Sequence, residues 1–141
     1  MHCTYAPGCV ETMRRAAEQA YPLETCGLLI GTLSAEGWAV REARPVANLN
    51  TERAADRFQL DPDGYRRIDH ELRGSGREII GVYHSHPDCP AKPSPTDLES
   101  AWDGFVYPII SVHQGRATDV RCWALGADER FCQVTLLQEN A

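Results

Sequence analysis

The chain has 141 residues, 43% of them hydrophobic, and a formal net charge of -6. That length fits one domain, residues 1–141, and lets roughly two-thirds of the unfolded chain's surface be buried. The charge argues against a nucleic-acid partner, since Arg14-Arg15 and Arg66-Arg67 are pairs on expected helix faces and not a basic stripe.

The first residues, MHCTYAPGCVETM, lack the basic start and apolar segment of a secretory signal. No stretch approaches the ~18 apolar residues of a membrane span. The expectation is a cytoplasmic protein without membrane contact, with its six cysteines reduced. No C-x-x-C pair is present, which argues against a thioredoxin-like site and the commonest structural zinc pattern.

Val10, Met13, Ala17, Ala20 and Tyr21 recur at helical spacing until Pro22, so 9–21 reads as an amphipathic helix. Cys26–Leu33 is a short apolar run that reads as a buried strand, and Trp38–Val46 as a second one after a turn at Gly37. Residues 47–60 are polar and read as a loop. Tyr65, Ile68 and Leu72 mark a helix over 62–72, closed by Gly74-Ser75-Gly76. Glu78–His84 is β-rich. Leu98, Ala101 and Trp102 predict a short third helix, with Trp102 and Phe105 in the core. Strand-like runs follow at 106–113, 119–125 and 131–137. Helices and strands mix without regular alternation, so the simplest fold is one α+β or three-layer domain with a mixed sheet.

The stretch HSHPDCPAKPSPTD, residues 84–97, carries the chemistry. Ser94-Pro95-Thr96-Asp97 is a capping box, with Ser94 at N-cap, Pro95 at N1 and Asp97 at N3. On that ground alone Asp97 is structural, and an isolated His-x-His is weak because alternate strand residues often share a solvated face. Together the features read differently. His84 and His86 can point the same way from one strand end. Pro87, Pro90 and Pro93 stiffen the loop that returns the chain to Asp97. Two imidazole nitrogens and one carboxylate oxygen suit Zn²⁺, with a fourth position left open as in catalytic sites. Spacing alone leaves the metal site and the structural alternative evenly balanced.

A metal-activated water needs a base. Asp88 lies in the loop, and Glu99 points away from Asp97. Glu24, between Pro22 and the apolar strand, reads first as a solvated acid after the helix, although a carboxylate there can also reach a pocket at the sheet's edge.

These residues together resemble the JAMM (MPN+, or Mov34-type) zinc metalloproteases. That family's signature is an upstream Glu, then His-x-His, seven residues, Ser, two residues and Asp. Here it falls on Glu24, His84-Ser85-His86, Pro87 to Pro93, Ser94, Pro95-Thr96 and Asp97. The Glu24–Gly31, Ile80–Tyr83 and Tyr107–Val112 segments resemble the family's strands. The resemblance implies an α+β fold of three α/β/α layers, cytidine-deaminase-like, with a mixed curved sheet flanked by helices. It also implies one zinc on His84, His86 and Asp97, Glu24 as general acid/base, and Ser94 as a donor to the oxyanion. The short form resembles the bacterial stand-alone branch, the sulfur-carrier-protein (CysO-cysteine) peptidases. The implied partner is a ubiquitin-like sulfur carrier ending in Gly-Gly with an added residue, its tail bound by strand addition, and the relatives suggest a homodimer. The 86–94 loop leaves no room for a ubiquitin-gripping insertion. Whether Cys89 contacts zinc or substrate, or is an incidental loop cysteine, stays open.

Two other readings remain. One is a different zinc hydrolase: His84-x-His86-x-Asp88 resembles the opening of the metallo-β-lactamase pattern, which would want a histidine where Cys89 stands. A deaminase site would want His-x-Glu and Pro-Cys-x-x-Cys, both absent. The second is a non-catalytic scaffold of the same fold, which would lack the ligands present here.

Overall fold

The structure, a computed structural model, describes residues 1–140. In chain order the elements are β1 (His2–Tyr5), α1 (Cys9–Ala20), β2 (Cys26–Ser34), β3 (Gly37–Val46), α2 (Pro62–Glu71), β4 (Glu78–Pro87), α3 (Pro95–Glu99), β5 (Tyr107–His113), β6 (Arg116–Leu125) and β7 (Phe131–Gln138).

The amphipathic repeat of α1 buries Cys9, Val10, Met13 and Ala17 along one stripe. β2 is buried on both faces over Cys26–Gly31 because β3 and β4 flank it and a helix lies against each side. Leu29, Ile80 and Tyr83 face α1, where they meet Tyr5, Met13 and Val40. Leu28, Ile30 and Val82 face the other way and pack with Ile68 and Leu72 of the α2 region and with Tyr107. A register irregularity between β2 and β4, at Leu29/Ile30, resets the strand phase. Downstream of it Val82 lies on the α2 side, and His84 and His86 follow it at period two. Gly81 is required where β5 begins to pair with β4, since a Cβ there would lie 2.3 Å from the carbonyl oxygen of Val106.

The sheet is mixed. β4 and β5 run parallel, β1 runs parallel to both β3 and β7, and the remaining pairs are antiparallel. The expected α+β domain with a mixed sheet is present. By pairing with both β3 and β7, β1 closes the order β1-β3-β2-β4-β5-β6-β7 into a barrel.

Strand β1 was not expected; its four residues are too short for a periodic signal. The third helix begins at Pro95, where the Ser94 cap places it, but ends at Glu99, before the Ala101 and Trp102 expected in it; the Trp102 N–H donates to Tyr107 OH at 2.6 Å instead. Trp102 consequently falls outside the helix and is 56% exposed, not in the core as expected. No helix among the described residues is long and apolar enough to cross a membrane.

Candidate active site

β4 ends by turning His84 and His86 to the same side, and α3 brings Asp97 against them. The two Nε2 atoms lie 3.1 Å apart. Asp97 Oδ1 is 3.2 Å from His84 Nε2, and Oδ2 is 3.2 Å from His86 Nε2. His84 is buried and His86 nearly so. The expected trio is thus assembled, with candidate ligand atoms all within 4.8 Å of one another.

The surroundings orient these side chains. His86 Nδ1 is 2.9 Å from the carbonyl oxygen of Pro90. A carbonyl only accepts, so the hydrogen sits on Nδ1 and Nε2 presents its lone pair to the cluster. The His84 ring stacks on Phe58 at 4.6 Å between centroids, while its buried Nδ1 has no partner among the described residues. Burial pushes the His84 pKa down. Burial acts the same way on His86, but its bonds to Asp97 and Pro90 and the nearby charges outweigh it and raise the pKa. Burial works against ionised Asp97, yet the two histidines and the Ser94 N–H together hold its carboxyl well below the usual range.

Capping and ligand geometry coexist at Asp97. Its Oδ2 accepts from Ser94 N at 2.8 Å, and its own N–H donates to Ser94 Oγ at 3.1 Å. The cap therefore aims the carboxylate at the imidazoles instead of competing for it. Ser94 Oγ acts as acceptor there, so its hydroxyl hydrogen stays free to donate.

The donor set fits a divalent metal. The 3.1 and 3.2 Å separations approach the edge of about 3.3 Å expected for a tetrahedron with bonds of about 2.0–2.1 Å to zinc. His84, His86 and Asp97 could hold the ion, and no fourth protein ligand joins them among the described residues.

Glu24 is buried at 7% exposure, not a solvated acid after the helix. It heads β2, and its backbone is fixed from two directions: its N–H donates to Ala54 O at 2.6 Å, and its carbonyl accepts from Asn48 Nδ2 at 3.2 Å. Burial pushes its carboxyl pKa up to about 7, with His86 pulling down and Asp97 pushing up. A carboxyl poised near neutrality beside a metal-type cluster has the properties of a general acid/base. Asp88, the other candidate base, is exposed and committed elsewhere: it accepts from Tyr21 OH at 2.6 Å and from Gln114 N at 2.9 Å.

Two clefts meet at Glu24. One, of about 400 Å³, is lined by His84, Asp97 and the apolar Phe58, Trp102, Tyr107 and Phe131. The other, of about 330 Å³, passes His86 and Ser94 and reaches Arg57, Lys92 and exposed Cys89. The thiol of Cys89 is not in the ligand group. The segment expected as a plain loop, 47–60, supplies residues that sequence reasoning missed. Asn48 Oδ1 accepts from Asn50 N and Gln59 N, while its Nδ2 donates to Glu24 O and Arg57 O. One side chain thus pins the loop over the site, and nothing in the sequence set Asn48 apart from Asn50 and the other polar residues around it.

A histidine pair at a strand end, an aspartate in the first turn of the next helix and a buried glutamate at the head of the adjacent strand form the constellation of the JAMM/MPN class. The model for prokaryotic homologs of the JAB domain matches residues 7–126, and the chain belongs to that family. It is 40% identical over 107 residues to a desampylase of Haloferax volcanii, covering 74% of this chain and 73% of the relative. It is 25% identical over 117 residues to a CysO-cysteine peptidase of Mycobacterium tuberculosis, covering 82% and 77%. A solution structure of a Desulfitobacterium hafniense protein superposes with a TM-score of 0.84 at 26% identity, covering 99% of this chain and 94% of that one.

Proposed function

We propose that this protein is a zinc-dependent peptidase that hydrolyses the bond after the C-terminal Gly-Gly of a small ubiquitin-like protein. The observation that carries the reading is the placement of buried Glu24 at the junction of two clefts beside His84, His86 and Asp97. The relatives, named a desampylase and a CysO-cysteine peptidase, support the substrate class.

Zinc held by His84, His86 and Asp97 would supply Lewis acidity to the scissile carbonyl and lower the pKa of water. The chain's own groups do the rest. Glu24, poised near neutrality, takes a proton from the attacking water and delivers it to the departing amine. Ser94 keeps its hydroxyl hydrogen available for the negative charge that develops on the carbonyl oxygen. Pro90 O and the Ser94 N–H hold His86 and Asp97 in place, so little reorganisation accompanies the reaction.

The test is a cleavage assay of zinc-loaded protein on a ubiquitin-like carrier extended beyond Gly-Gly, run beside Lys-linked ubiquitin dimers. Cleavage of the carrier adduct supports the reading. Cleavage of the dimers only, or a purified protein that takes up no zinc, overturns it.

A further inference from the structure

The two clefts differ in chemistry. The larger is walled by aromatic and aliphatic side chains; the smaller contains two cations, Arg57 and Lys92. Among the described residues neither forms an ion pair. The only bond from the Arg57 guanidinium is Nη1 to the Asp56 carbonyl oxygen at 3.2 Å, which leaves most of its donors free. The Asp56 carboxylate, which lines the same wall, is already engaged by Arg53 at 2.5 Å. Arg57 also lines the larger cleft, so it stands at the junction where Glu24 stands.

Covalent geometry says what such a cation can meet. The group Glu24 protonates is the scissile nitrogen, and a general acid must be within hydrogen-bond reach of it. If the leaving group is a single amino acid, its α-carboxylate carbon is two bonds from that nitrogen, about 2.5 Å away. A free carboxylate is then obliged to lie beside Glu24, where Arg57 is. If the leaving group is a lysine side chain of another protein, the nitrogen ends four methylenes and no charge lies near it. That apolar stem would cover Arg57 and Lys92 without pairing them, which is unfavourable for both cations.

Building on the peptidase reading above, we propose that Arg57, assisted by Lys92, binds the free α-carboxylate of the departing residue. The preferred substrate is then a carrier bearing one added C-terminal amino acid, not a carrier joined to a lysine of another protein. The chemistry is a hydrolysis. Water's oxygen bonds to the glycine carbonyl carbon, the C–N bond breaks, and the nitrogen keeps the bonding pair and gains one proton. The carrier ends as a glycine carboxylate, its remaining proton lost to solvent.

The experiment compares kcat/KM of the zinc-loaded full chain on two semisynthetic substrates. Both are a ubiquitin-like carrier ending Gly-Gly-Ala, one with a free C-terminal carboxylate and one with a carboxamide. A preference for the acid of roughly ten- to hundredfold is expected, the worth of a charge-assisted hydrogen bond. Arg57→Ala should bring the acid/amide ratio close to one, Arg57→Lys should restore part of it, and Lys92→Ala should reduce it severalfold. Zinc content and thermal unfolding on the same samples confirm that each variant is folded and loaded. Equal rates on acid and amide, an unchanged ratio in Arg57→Ala, or faster cleavage of a Lys-linked conjugate would overturn the inference while leaving the peptidase reading standing. No cleavage of any conjugate would overturn both.

Discussion

Thr25 and Ser85 are joined twice: Thr25 N donates to Ser85 Oγ at 2.9 Å, and Ser85 N donates to Thr25 O at 3.1 Å. Ser85 is the residue between the two histidines, and Thr25 follows Glu24. The pair therefore ties the acid/base candidate to the strand end that carries the imidazoles. In Ser85→Ala the Thr25 N–H loses a partner in a part-buried position, at about 1–2 kcal/mol. The variant should keep its zinc yet lose kcat severalfold, because Glu24 is less well held. Parallel measurement of melting temperature, zinc and turnover checks this, and unchanged kcat would remove Ser85 from the positioning role.

His86→Ala should abolish stoichiometric zinc binding and turnover together. For the parent protein, free zinc at 100 times its dissociation constant should add about 2.7 kcal/mol of stability. The variant should show no such gain. Elemental analysis with thermal unfolding, with and without a chelator, decides it; a variant that retains about one zinc per chain would show that the ligands are misassigned.

Glu24→Gln keeps shape and removes the base. Zinc binding should persist, since Glu24 lies outside the ligand group, while kcat falls by roughly 10²–10⁴-fold. Rate and zinc content must be measured on the same sample. Near-normal turnover at full zinc would leave Glu24 without its role.

The same substitution has a pH signature in metal-free protein. Burial raises the folded Glu24 pKa from 4.5 to about 7. Between those values the unfolded chain has released the proton and the folded chain still holds it, so stability falls as pH rises. The loss is complete above the folded value and is on the order of 3 kcal/mol. Glu24→Gln carries no such loss. Its advantage over the parent in chelator should be near zero at pH 4.5 and grow to several degrees of melting temperature by pH 8. An advantage that does not change with pH would mean that Glu24 titrates normally.

Ser94→Ala removes both the cap acceptor and the free hydroxyl. It should destabilise by about 1 kcal/mol, the usual worth of an N-cap, and lower kcat by up to about 10²–10³-fold, the worth of one oxyanion donor. Ser94→Thr keeps both functions and should recover both quantities. Denaturant unfolding and steady-state kinetics separate the two contributions, and a variant that loses stability without losing rate would make Ser94 a cap only.

What the sequence determined by itself was local. The stripe of α1, the buried run of β2, the Ser94–Asp97 cap and the His84-x-His86 spacing all rest on contacts within a few residues, where periodicity and capping rules act directly. The tertiary structure decided what depends on neighbours distant in the chain. Glu24 is a surface acid or a poised base according to whether Asn48, Ala54 and β4 cover it, and nothing beside it in the chain says which. Phe58 stacks on His84 from a segment with no periodic pattern. Trp102 is exposed because α3 ends at Glu99 and the Trp102 N–H pairs with Tyr107 OH, a residue outside the helix. The four residues of β1 close the sheet only because β3 and β7 offer them edges on both sides. Burial and pairing are properties of what packs against a residue, and that partner is chosen by the fold as a whole.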